Sequence, residues 1–218
     1  MQEIVDMLNG FIWSPALIYL CLGTGLFFTV LTRFVQIRQF KEMFRLLISG
    51  KSSDKGISSF QALAVSLSGR VGTGNIAGVA AAIGFGGPGA VFWMWVVAFF
   101  GAATAYIEST NAQIYKEEED GIYRGGPAYY IEKAMGQKWY AWIFAIATII
   151  ACGVLLPVVQ SNGIGASLVN VFGTGGTVTS FIGELPLTKV YAATFVVIIL
   201  GFIIFGGVKR IANFTQIV

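Results

Sequence analysis

Five apolar runs of bilayer length decide what this chain can fold into. They lie at about 11–31, 58–84, 88–113, 139–170 and 188–207, and a spanning helix needs roughly 20 mostly apolar residues to cross ~30 Å of hydrocarbon. The composition agrees, with 56% hydrophobic and 11% charged residues where a soluble domain carries about a quarter charged. Too few charges remain to cover a surface in water, so the expected fold is all-α, a multi-pass transmembrane helical bundle whose partner is the lipid bilayer.

The same composition excludes several functions. Net charge is only +3 and histidine is absent, so nothing points to nucleic-acid binding, and histidine-based catalysis has no residue to carry it. Cys21 and Cys152 both fall inside apolar runs, where cysteine serves as a small core residue. Glu3 and Asp6 precede Phe11, so the start lacks the basic region of a secretory signal, and the first run is expected to stay in the mature protein.

Basic residues give the orientation, because Lys and Arg are retained on the cytoplasmic side. Arg33, Arg38, Lys41, Arg45, Lys51 and Lys55 follow the first run, Lys116, Arg124, Lys133 and Lys138 follow the third, and Lys209 and Arg210 follow the fifth. The opposite connections are nearly uncharged, so the N-terminus is expected outside, with one peripheral helix entering the cytoplasm before the second run. The acidic run Glu117, Glu118, Glu119 and Asp120 reads as a solvated surface. After Arg210 the sequence turns apolar at Ile211 and stops at Val218, part-way into an apparent sixth span. A helix that ended in lipid would leave backbone groups unsatisfied, so the chain reads as a fragment whose C-terminal half is missing.

The second run carries the strongest irregularity. Gly72, Gly74 and Gly78 fall within seven positions, beside Thr73 and Asn75, and each glycine weakens helix by about 1 kcal/mol. The helix is expected to break near 71–75. Irregular backbone at membrane depth is tolerated only where it is buried in protein or lines a watery cavity. Freed N–H groups at the start of one half-helix suit a carboxylate, and freed carbonyls at the end of the other suit a sodium ion. Close helix packing through small residues explains the same glycines, and periodicity alone leaves both readings open. A soluble phosphate loop does not fit, since no strand precedes the glycines and no P-loop lysine follows.

Arg70 stands just before this break, and an intramembrane charge is costly unless it pairs or snorkels. Glu108 is a candidate partner. Arg70 is fifteen residues before Phe85 and Glu108 twenty after Pro88, so at ~1.5 Å rise per residue the two differ in depth by about one and a half turns. Separate exposure of each charge to cytoplasmic water is the alternative. In the fourth run Pro157, expected to break or tilt the helix, is followed by Gln160, Ser161, Asn162 and Gly163. Such side chains are expected to face protein, as interhelical hydrogen bonds or as ligands. Phe92, Trp93 and Trp95 fit an outer interfacial belt, and Gly86, Gly87 and Pro88 fit a tight turn.

Four stretches, Val71–Ala80 (VGTGNIAGVA), Gly86–Trp95 (GGPGAVFWMW), Ala105–Glu108 and Gly125–Tyr130 (GGPAYY), together resemble the alanine or glycine:cation symporter family, and the likeness runs from Trp13 through Arg210. The resemblance implies a leucine-transporter-like fold, two inverted five-helix repeats preceded by one extra helix, of which this chain is the first half. It implies that Gly72, Thr73, Gly74, Asn75 and Gln160 hold the amino acid, that the Val71 carbonyl helps to coordinate sodium, and that no cofactor beyond that ion is needed. The function implied is sodium-coupled symport of alanine, glycine or serine across the cell membrane. A passive channel would need a filter-like ring, a membrane enzyme would need a nucleophile with its base, and a purely structural helix bundle leaves Arg70 and the Gln160–Asn162 patch without a role.

Overall fold

The computed structural model describes residues 2–49, 56–180 and 183–217. Lys51 and Lys55 of the first basic connection, and the terminal Val218, lie outside the described residues. In chain order the helices are α1 (Gln2–Ile12), α2 (Pro15–Leu31), α3 (Val35–Arg38), α4 (Phe40–Ser49), α5 (Ser59–Ser68) and α6 (Val79–Gly86). They continue with α7 (Gly89–Ile114), α8 (Pro127–Met135), α9 (Lys138–Ile150), α10 (Leu156–Phe172), α11 (Leu187–Ile204) and α12 (Gly207–Ile217). Two short hairpins complete the fold, β1 (Glu117–Glu119) with β2 (Ile122–Arg124) and β3 (Thr177–Ser180) with β4 (Gly183–Pro186).

The protein is all-α in character, and among the described residues four helical stretches are long and apolar enough to cross a membrane: Gln2–Leu31, Gly89–Ile114, Lys138–Phe172 and Leu187–Ile204. None of the most apolar window of Lys138–Phe172 is buried, so this surface needs a cover other than water. The chain divides into two compact units, Met1–Leu46 with Ala81–Ala141, and Leu47–Ala80 with Trp142–Val218.

In the first unit α2 packs against α7 through small residues. A Cβ at Gly25 would lie 2.9 Å from the Cβ of Phe100, while Thr29 and Ala103 are fully buried. Small side chains let membrane helices approach closely, which is what drives their association where lipid is as apolar as leucine. The chain leaves α2 through Arg33 (φ 53°) and Phe34 (φ 55°), a left-handed pair that non-glycine residues rarely adopt. Gln36 Nε2 donates to the Thr29 hydroxyl at 3.0 Å and ties this turn down. The acidic run is exposed but structured: Asp120 (φ 54°) and Gly121 (φ 73°) form a two-residue hairpin turn of the kind that needs positive φ at both positions. Glu119 pairs with Arg124 and Glu117 with Lys133, each at 2.7 Å. Burial pushes the Tyr130 hydroxyl above the usual tyrosine range, and the charges of Glu108 and Tyr140 add to it.

In the second unit α10 packs on α11 and α12 on α5. Pro157 does not break the fourth run. A π turn at Ala151–Leu155 precedes it, and the wider turn accommodates the proline ring and its missing N–H, so the helix continues from Lys138 to Phe172. At the end of α11, Gly207 (φ 77°) turns the chain, and Arg210 donates to the Phe202 carbonyl at 3.1 Å. The last helix therefore begins at Gly207 and includes Lys209 and Arg210, earlier than the expected start at 211. Gln61 of α5 donates to Asn213 of α12 at 2.8 Å.

Candidate functional site

The site is built on the interruption between α5 and α6. α5 opens with a reciprocal cap, in which Gln61 N–H donates to the Ser58 hydroxyl at 3.1 Å and Ser58 N–H to Gln61 Oε1 at 3.0 Å, so its start is fixed. Its end is loosened from within: the Ser68 hydroxyl donates to the Val65 carbonyl at 2.9 Å, and Gly69 follows. Arg70 and Val71 N–H both turn back to the Leu67 carbonyl at 3.0 Å, and regular helix stops. It resumes at Thr73 as a π turn over Gly74–Gly78 that feeds into α6.

The interruption thus covers 69–72, overlapping the expected 71–75 at Val71 and Gly72. Thr73, Gly74 and Asn75 are the opening turn of the second half-helix. The physical reason is that Gly72 serves as N-cap, with Asn75 three residues on. The Gly72 N–H donates to Asn75 Oδ1 at 3.1 Å while the Asn75 N–H donates to the Gly72 carbonyl at 3.0 Å, which is half of a capping box.

The next N–H is satisfied from another helix. Thr73 N–H donates to Gln160 Oε1 of α10 at 2.8 Å. Two glycines permit this approach: a Cβ at Gly72 would overlap the Gln160 carboxamide, lying 3.0 Å from its Cδ and Oε1, and a Cβ at Gly163 would lie 2.6 Å from Thr73 Cγ2. Gly72, Thr73, Gln160 and Gly163 are half-buried, whereas Val71, Gly74 and Asn75 are exposed. Two successive N–H groups at the start of a half-helix are thus each satisfied by a neutral side-chain oxygen. The positive end of the half-helix dipole points the same way.

Of the residues named from sequence, Gly72, Thr73, Asn75 and Gln160 come together in the second unit. Gly74 opens the π turn without a side chain of its own, and Val71 presents its backbone at the break. Arg70 sits in the turn of the second unit and Glu108 in α7 of the first, both exposed. Gly163 is the member that sequence reading left in the general polar patch. Its spacing of three from Gln160, one helical turn, places both on one face, and that spacing is the signal that could have found it.

The family model of the Sodium:alanine symporter family matches residues 1–218. The chain is 56% identical over 218 residues to YrbD of Bacillus subtilis (strain 168), provisionally named a sodium/proton-dependent alanine carrier protein, covering 100% of this chain and 42% of that protein. It is 44% identical to GlnT of the same organism, provisionally named a sodium/glutamine symporter, over 99% of this chain and 43% of GlnT. It is 46% identical over 176 residues to the sodium/proton-dependent alanine carrier protein of Bacillus sp. (strain PS3), covering 81% of this chain and 36% of that protein. The chain spans about two fifths of the length of these relatives.

Proposed function

Because this chain belongs to the sodium:alanine symporter family, we propose that it supplies the first part of a sodium-coupled symporter for a small neutral amino acid, alanine first, with glycine and serine as close alternatives. The observation that carries the proposal is the pair of side-chain oxygens, Asn75 Oδ1 on Gly72 N–H and Gln160 Oε1 on Thr73 N–H. Each accepts from an N–H that a carboxylate oxygen would accept from in its place.

A carboxylate is the better acceptor. Charge-assisted hydrogen bonds are roughly twice as strong as neutral ones, and the helix start adds about 0.3–1 kcal/mol, more where partly buried. The amino acid's carboxylate displaces the Gln160 carboxamide from Thr73, and the freed Oε1 then accepts from its ammonium group. Gly74 leaves the backbone accessible to the ligand. Sodium binds at carbonyls freed by the interruption, that of Val71 among them. Arg70 is the sole ionisable residue from Gly69 to Asn75, so the break itself supplies oxygen ligands for a hard cation rather than a titrating proton carrier. Coupling arises because each ligand favours the conformation that the other also favours. The distribution of Lys and Arg supports placement in the cell membrane with the N-terminus outside.

The contacts assigned here reach only the backbone end of an amino acid, so side-chain size is set by other groups. The test is uptake of radiolabelled alanine into vesicles carrying the full-length protein, under a sodium gradient, a proton gradient or neither, with unlabelled glutamine as competitor. Uptake driven by sodium and resistant to glutamine is expected. Uptake that ignores both gradients would make the protein a channel, and full competition by glutamine would overturn the substrate assignment.

A further inference from the structure

The first unit contains a basic notch apart from the interrupted helix. Where α2 ends, a notch of about 320 Å³ is lined by Leu31, Thr32, Arg33, Val35, Arg38 and Tyr106. Arg33 and Arg38 put two like charges at one notch, and an anion between them would offset their repulsion. Most other basic side chains of this unit have a partner: Arg45 with Glu42, Arg124 with Glu119, Lys133 with Glu117 and Lys138 with Glu132, while Lys116 donates to Gln113 and lies over the Tyr123 ring. Among the described residues Arg33 and Arg38 take part in no ion pair. Arg33 is also held at φ 53°, and such strain collects where a side chain is being aimed.

The surroundings say what kind of anion fits. The notch lies at the end of α2 and against Tyr106 of α7, each helix part of a stretch long and apolar enough to cross a membrane, and Leu31 beside it is mostly exposed. α4 starts two residues after Arg38, with Phe40, Met43 and Phe44 on one side and Lys41 and Arg45 on the other, the pattern of a helix lying in the headgroup layer. Phosphate oxygens accept without donating, which suits Arg and the Tyr106 hydroxyl. Exposed Leu31 offers contact to an acyl chain, which a soluble anion lacks. We propose that Arg33, Arg38 and Tyr106 bind the phosphate of an anionic phospholipid, with its acyl chains against Leu31. Basic pockets at the edges of membrane helices bind lipid headgroups by this chemistry.

The experiment uses the full-length protein in nanodiscs containing phosphatidylcholine with a minor fraction of phosphatidylglycerol, and native mass spectrometry counts the lipids retained. Wild type should retain phosphatidylglycerol over phosphatidylcholine. R33Q/R38Q should lose this preference by roughly 25-fold, about fivefold for each charge removed near an anionic surface, while R33K/R38K should keep most of it. If the double variant does not fold, Arg33→Gln and Arg38→Gln alone should each cost about fivefold. Unchanged retention in the glutamine variants would overturn the proposal. So would displacement of the lipid by millimolar inorganic phosphate, which would make the site one for a free anion. Since the readout is lipid retention, failure here leaves the transport reading untouched.

Discussion

A methyl group placed at Gly163 strikes the contact on which the site depends. In Gly163→Ala the new Cβ would lie 2.6 Å from Thr73 Cγ2, about 1 Å inside the usual carbon–carbon contact of 3.5–4.0 Å. Relief comes either from turning the Thr73 side chain or from moving α10 away, and the second route draws Gln160 Oε1 off the Thr73 N–H, now 2.8 Å away. Overpacking of this kind costs about 1–3 kcal/mol, equivalent to roughly 5- to 150-fold in the population of the close-packed arrangement. The amino acid needs Gln160 beside Thr73 so that the displaced Oε1 can take its ammonium group, so KM for uptake rises by up to the same factor. The clash involves a single methyl, so Thr73→Ser removes it and keeps the hydroxyl. A double-mutant cycle on the full-length protein, read by alanine uptake in proteoliposomes and by thermal unfolding in detergent, should show G163A impaired and T73S/G163A restored. Coupling between the two sites of about 1 kcal/mol or more is expected. A neutral G163A, or a double variant as impaired as G163A, would refute the packing argument.

Three further outcomes follow from the same geometry. Gln160→Ala removes the oxygen that takes the substrate ammonium, a hydrogen bond to a charged group worth about 1.5–3 kcal/mol, and should weaken alanine uptake roughly 12- to 150-fold. Asn75→Ala should lose about 1 kcal/mol of stability with the cap on Gly72, whereas Asn75→Asp should keep the melting temperature and lose affinity, a split visible by pairing thermal unfolding with uptake. Tyr130 should ionise above the ordinary tyrosine range, because burial favours its neutral form in the folded protein and the charge of Glu108 adds to this. The stability this contributes is present below the ordinary tyrosine pKa near 10 and lost as pH rises through the higher folded value. Glu108→Gln should bring the ionisation part-way back in a tyrosinate absorbance titration corrected with Tyr130→Phe.

The membrane character was legible because long apolar runs leave little choice of environment, and the third, fourth and fifth runs match the observed helices within a few residues. What escaped the sequence reading was local. Gln2–Ile12 forms a helix although Glu3 and Asp6 interrupt its apolarity, since helix is also stable at an interface. Asp120-Gly121 is a hairpin signal of two residues, easily lost beside three glutamates. Pro157 invites a break, and the extra residue of a π turn that prevents it leaves no compositional mark. At the site, the glycine cluster located the interruption to within two residues. Its boundary shifted because Asn75 acts as a helix cap, a role that depends on side-chain direction. The approach of α10 depends on Gly163 meeting Thr73 across ninety positions of chain, and no local pattern encodes which two small residues will touch.

Hydrogen–deuterium exchange over residues 68–76 of the full-length protein measures the central feature directly, with sodium present and alanine added or withheld. The Gly72 and Thr73 amides, held by side-chain oxygens rather than by helical carbonyls, should exchange faster than those of α7 and α11, and alanine with sodium should slow them at least tenfold. Exchange as slow as in the unbroken helices, and indifferent to alanine, would mean that the interruption is sealed packing and holds no solute.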